Sequence, residues 1–146
     1  MERSRTPRRP AAQGFTLIEI LVVIVVITVL ATLVAPNVFR HVGTAKESTA
    51  RSQIEMLGAA LDAYRLDVGR YPSTTEGLEA LMTQPSGAQS WRGPYLRKKV
   101  PLDPWGNAYV YKSPGQVNPG MYDLVSYGSD AREGGEGEAA DVRSWE

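Results

Sequence analysis

Hydrophobic and polar positions alternate between two regimes along this chain. From Phe15 to Ala35 the sequence FTLIEILVVIVVITVLATLVA is apolar on every side, with Glu19 its only charge. As a helix at about 1.5 Å per residue, this run spans about 31 Å, the thickness of a bilayer's hydrocarbon core. From Val38 to Val68 the pattern becomes amphipathic. Ile54, Leu57, Leu61, Tyr64 and Val68 recur at spacings of three and four, while Lys46, Glu47, Arg51, Glu55, Asp62 and Arg65 fill the other positions. That spacing predicts one helix over about 16–68, some 80 Å long, with a narrow apolar stripe in its second half. No globular domain of this size covers such a length, so the first half must find membrane or other subunits. Pro36 predicts a bend in a continuing helix, with a true helix end as the alternative. Gly69 is placed to cap it.

Beyond the helix the elements are short. Ser73-Thr74-Thr75-Glu76 has the spacing of a capping box, predicting a short helix near 74–83. Residues 84–94 read as loop. Two prolines, Trp105 and Gly106-Asn107 predict a tight turn over 101–107 leading into a strand. Tyr109-Val110-Tyr111 and Tyr122 to Tyr127 have strand alternation, so a sheet of two or three antiparallel strands is expected to bury one face on the helix. The fold class is α+β.

Charge is zero overall but unevenly placed. The first 14 residues hold four of the 16 Lys/Arg and one of the 16 Asp/Glu, so residues 15–146 carry a net charge of −3. A basic start ahead of an apolar run keeps the N-terminus cytoplasmic, with the rest of the chain across the membrane. No basic patch is interleaved with aromatics, and nucleic acid is not among the expected partners. The sequence has no cysteine and one histidine, His41. It lacks G-x-S-x-G and H-E-x-x-H, and no nucleophile–base or metal constellation suggests an enzyme. The basic run Arg97-Lys98-Lys99 reads as a solvated face, with contact to an acidic neighbour as the alternative.

The N-terminal segment differs from a secretory signal, because its small residue, Gly14, precedes the apolar run. Gly14-Phe15-Thr16-Leu17-Ile18-Glu19 resembles the class III signal of type IV pilins and pseudopilins. The resemblance implies cleavage between Gly14 and Phe15 by a prepilin peptidase, followed by N-methylation of Phe15. The domains expected are a leader over 1–14, a transmembrane and assembly helix over 15–37, and a periplasmic domain over 38–146. A lone carboxylate in a membrane helix is costly and points to function. Glu19 lies one turn after Phe15, on the same helix face, and the family assigns it to the Phe15 amine of a neighbouring subunit. The alternative is a carboxylate close enough to the interface to stay solvated.

The C-terminal stretch holds five acids between 130 and 141 and four glycines from 128 to 137. Its composition suits a solvated acidic tail as well as a calcium loop, which needs carboxylates and inward-turned carbonyls. Trp145 is an apolar anchor that a free tail would not need. Asp103-Pro104-Trp105-Gly106-Asn107 and the acidic loop resemble those of the major pseudopilins of type II secretion systems. That resemblance implies a pilin-like fold and structural Ca2+ bound by the side chains of Asp130 and Asp141 and by carbonyls near Tyr127 and Arg132. Where some relatives have a further acid this chain has Ala140, leaving that ligand to another group such as Glu138. It also implies a homo-oligomeric helical filament in the periplasm, partnered by minor pseudopilins and the inner-membrane assembly platform, which helps push folded proteins across the outer membrane. A subunit of an adhesive or motility type IV pilus is the alternative.

Overall fold

The computed structural model describes residues 14–146, with the side chains of 33–41 outside that description. In chain order the elements are α1 (Leu17–Val68), a 3-10 turn (Leu78–Leu81), β1 (Val110–Lys112), β2 (Asp123–Ser126), two more 3-10 turns (Gly128–Asp130 and Gly137–Ala139) and β3 (Val142–Arg143). Two compact units divide between Phe39 and Arg40. The leader over 1–13 and the side chain of His41 lie outside the described residues.

In the first unit α1 starts from a capping box. The Glu19 amide donates to Thr16 Oγ1 at 3.3 Å, and the Thr16 amide donates to Glu19 Oε2 at 3.4 Å. The T-x-x-E spacing that makes this possible was hidden inside the FTLIE motif. Glu19 also sits in the first turn, where the helix dipole favours an acid. The large apolar side chains that follow, as far as Leu30, are exposed on every face: Ile24 is 59% exposed, Val25 54%, Ile27 61% and Leu30 56%. Thr28 and Thr32 turn their hydroxyls back onto the Ile24 and Val29 carbonyls, at 2.8 and 2.7 Å, so they form no polar face. Among the described residues no helix is long and apolar enough to cross a membrane; the described side chains of the apolar run stop at Thr32. The backbone remains helical through Pro36, so the alternative of a helix end there does not hold. The bend expected at that proline falls on residues whose side chains lie outside the description.

In the second unit the expected stripe is the core. Ile54, Leu57, Leu61 and Tyr64 are buried, joined by Ala50 and Ala60, and Val68 packs at the edge. Gly69 ends α1 with φ 86°, and its amide donates to the Arg65 carbonyl at 2.8 Å, the αL cap that glycine adopts without a Cβ clash. The helix expected near 74–83 does not form. Ser73 and Glu76 do make the reciprocal capping bonds, with the Ser73 amide donating to Glu76 Oε2 at 2.7 Å and the Glu76 amide to Ser73 Oγ at 3.3 Å. Gly77 then turns to φ 61°, outside helical space, and only the 3-10 turn follows. Glu76 also accepts two bonds from Arg70, at 2.6 and 2.7 Å, and that guanidinium holds its carboxyl at about 2, well below the usual range.

The sheet has the order β1-β2-β3, all antiparallel, with Tyr111 opposite Leu124 and Ser126 opposite Val142. These residues share the face toward α1. All four residues of β2 are buried, so this strand is covered on its far side as well. There Asp123, 5% exposed, accepts amides of Gln116, Val117 and Asn118 at 2.6, 2.9 and 3.2 Å, folding the β1–β2 loop back over the strand.

Tyrosines bind the loops to α1. Their rings enter the core while their hydroxyls find polar partners: Tyr71 donates to Asp62 at 2.8 Å, Tyr95 to Asp67 at 2.9 Å, Tyr111 to the Pro72 carbonyl at 2.8 Å, and Tyr109 to Gln53. Tyr71 and Tyr122 meet edge to face with centroids 5.0 Å apart. Burial pushes the Tyr111 and Tyr122 phenols up to about 12, and pushes Tyr109 up further still. A phenol whose folded value is raised favours the native state while neutral. Its contribution is complete below pH 10 and is lost as pH rises towards 12. Alkaline titration should therefore show tyrosinate absorbance appearing together with loss of circular dichroism. Ionisation of all seven tyrosines near pH 10 with the fold intact would contradict this.

Candidate functional site: the acidic loop and the turn that holds it

Two prolines and a glycine shape the turn at 101–107, but Asp103 organises it. This carboxylate is 4% exposed. Its Oδ1 accepts the amides of Trp105 and Asn107 at 3.1 and 2.7 Å, and its Oδ2 accepts the Ser126 hydroxyl at 2.6 Å. The backbone closes around it through Asp103 N to Asn107 O at 2.8 Å and Gly106 N to Asp103 O at 2.9 Å. Trp105 packs against the core as the expected anchor.

The turn reaches directly into the acidic loop. Asn107 Nδ2 donates to the Gly128 carbonyl at 2.9 Å, and the Gly128 amide donates to Ser126 Oγ at 3.3 Å. Asp103, Ser126, Asn107 and Gly128 thus form one hydrogen-bonded unit, which sets where the loop begins. The sequence assigns Asn107 to the turn and Ser126 to a strand, and gives neither a part in the acidic loop. The available signal was Ser126 itself, a hydroxyl on a strand otherwise placed to face the core.

The loop folds back on itself. Ala131 has φ 54°, and Gly128 and Gly135 have φ of 61° and 92°. A Cβ on Gly128 would lie 2.7 Å from the Glu138 carbonyl, and one on Gly135 would run into the Ala139 carbonyl. Both ends carry the expected acids. Asp130 is exposed, and its Oδ1 accepts the Arg132 amide at 3.1 Å. The Asp141 side chain is 2% exposed. Its Oδ2 accepts the Gly134 amide at 3.0 Å and Arg143 Nη2 at 3.1 Å, while its Oδ1 is buried with no hydrogen-bond partner among the described residues. Tyr127 precedes the 3-10 turn Gly128–Asp130, and Arg132 follows the left-handed Ala131. Among the described residues no group of three His, Cys, Asp or Glu is arranged to hold a metal ion. Glu138 lies against α1, where a Cβ on Gly43 would come 2.9 Å from its Cγ.

The chain end is anchored. Ser144 N donates to the Leu124 carbonyl at 2.9 Å, extending the strand pairing past β3. Half-buried Trp145 lines a cavity of about 310 Å³ with Val110, Val125, Tyr127 and Asp141. A free tail is therefore not what this sequence forms.

Asp103→Ala should leave two amides and a buried hydroxyl unsatisfied. At roughly 1–3 kcal/mol for each buried group left without a partner, a loss of at least about 3 kcal/mol is expected. Urea unfolding should show a lower midpoint at unchanged slope, and amide exchange should quicken across 128–141. Exchange there equal to that of the unaltered protein would separate the turn from the loop.

Comparison with known proteins places this architecture. The family model for type II secretion system (T2SS), protein G matches residues 37–145, and the prokaryotic N-terminal methylation motif matches residues 9–35. The chain is 45% identical over 142 residues to the type II secretion system core protein G of Pseudomonas aeruginosa, covering 95% of this chain and 99% of that one. It is 45% identical over 136 residues to the Escherichia coli K12 core protein G, covering 91% and 90%. Among solved structures it is similar to the crystal structure of the major pseudopilin from the type 2 secretion system of enterohaemorrhagic Escherichia coli. The TM-score is 0.63 at 34% identity, over 75% of this chain and 95% of that one. A helix with an apolar N-terminal half, a three-stranded sheet on its second half and a matching sequence over nearly the whole length lead to one conclusion: the chain belongs to the type II secretion system protein G family, the major pseudopilins.

Proposed function

We propose that this chain is the major structural subunit of the type II secretion pseudopilus, a periplasmic filament of many copies that helps push folded proteins across the outer membrane. The observation that carries this reading is the start of α1, Leu17 to Leu30, whose apolar side chains are exposed on every face. Such a surface is stable only when covered. Before assembly the cover is the inner membrane, crossed once with the N-terminus cytoplasmic; afterwards it is the same segment of other copies. A prepilin peptidase cuts between Gly14 and Phe15 and methylates Phe15. Minor pseudopilins and the inner-membrane assembly platform are the partners of the growing filament.

Glu19 has two tasks in this reading. It closes the capping box with Thr16, and its charge meets the Phe15 amine of a neighbour in a medium where an unpaired carboxylate is costly. The two are separable. Glu19→Gln keeps a capping-box side chain and removes the charge; Glu19→Ala removes both. Both variants should be cleaved normally and both should fail to assemble, as measured by electron microscopy of sheared filaments. Normal filaments from Glu19→Gln would leave the cap as the residue's only task.

The acidic loop fits a hard cation in part of its geometry. Asp141 presents a buried oxygen with no hydrogen-bond partner among the described residues, the left-handed Ala131 turns the backbone, and at Gly128 and Gly135 it passes where a Cβ would not fit. Asp130 and Asp141, with carbonyls near Tyr127 and Arg132, are the donors for Ca2+. The ion supplies positive charge between the loop's two ends, a staple in a chain without disulfides. An ion bound only by the folded state raises its stability. Thermal melting should show a higher midpoint in calcium than in chelator, and Asp130→Ala should abolish the difference. Identical midpoints in the unaltered protein would leave the loop held by hydrogen bonds alone.

A further inference from the structure

The run Arg97-Lys98-Lys99 has no part in the fold or in the loop. It forms a wall of a groove of about 630 Å³ in the second unit, floored by Met56 and Ala59 of α1 and by Leu96. Met56 is 46% exposed although it faces this groove. All three cations are exposed, and among the described residues none takes part in an ion pair. An apolar floor beside three unpaired cations suits an acidic segment with small side chains.

The chain carries such a segment. Glu133 and Glu136 are exposed on the C-terminal loop, neither is ion-paired among the described residues, and glycines separate them. The loop cannot reach its own groove. Its Glu138 lies beside Gly43, whereas the groove's helical floor lies at 53–63. At about 1.5 Å per residue, the two are separated by roughly 15–30 Å along α1. A parallel copy displaced along the helix would bring loop and groove together. Because the two patches differ, the contact is heterologous and repeats in one direction instead of closing on a pair.

We infer that the groove between α1 and residues 96–99 receives the acidic C-terminal loop of a second copy, with Arg97, Lys98 and Lys99 facing the neighbour's Glu133 and Glu136. This rests on the filament reading above and adds to it a stagger between subunits. Exposed charges of this kind set register and partner choice more than they add affinity.

The absence of cysteine provides the test. In the full-length chain, Lys98→Cys combined with Glu136→Cys should give, on mild oxidation of assembled filaments, a ladder of covalent multimers. Either substitution alone should give none. Filaments visible by electron microscopy without a ladder would overturn the inference and leave the filament reading intact. Failure of the unaltered chain to form filaments would instead remove the reading on which it rests. As a second measurement, Lys98→Glu with Lys99→Glu should cut filament yield by about tenfold. Adding Glu133→Lys and Glu136→Lys should restore it, with circular dichroism confirming that each variant folds. Reduced yield without restoration would overturn the pairing.

Discussion

A helix that is apolar around its whole circumference has no stable place in water, and the organisation of this protein follows from that constraint. Ile24, Val25, Ile27 and Leu30 project in different directions, and all are more than half exposed. The threonines that might have made a polar edge bond instead to their own helix. Such a segment needs a hydrophobic medium or copies of itself, and in the function proposed above a subunit passing from membrane to filament exchanges the first for the second. The second half of α1 solves a different problem. It is apolar along one stripe only, so a small sheet and a few loops suffice to cover it.

That covering depends on tyrosine. Three strands of two to four residues cannot bury much surface alone. Tyr71, Tyr95, Tyr109 and Tyr111 each add a large ring to the core and a hydroxyl that finds a polar partner, in three of the four cases on α1. Buried carboxylates perform the matching task for the backbone. Asp103 and Asp123 each gather backbone donors from a turn outside the helix and sheet, which is how long loops are held without cysteine. The same arrangement links structure to proposed function, because the Asp103 turn reaches through Ser126 and Asn107 to the start of the acidic loop.

The amino-acid sequence by itself determined what repeats at short range. The run from Phe15, the stripe from Ile54 to Val68, the glycine cap and the two aromatic strands were all legible, because helix and strand periodicities and local turn chemistry depend on near neighbours. Even the capping box at Ser73 was legible, although Gly77 cut short the helix it was expected to begin. Tertiary structure decided what distant residues do together. β3 is too short to announce itself and exists because β2 offers an edge. Asn107 meets Gly128, Glu138 meets Gly43, Asp141 is buried with one oxygen unpaired, and the basic run borders an apolar groove. Each of these joins residues separated by many positions, and the separation is closed only by burying the tyrosine-rich sheet on α1, which no local pattern encodes.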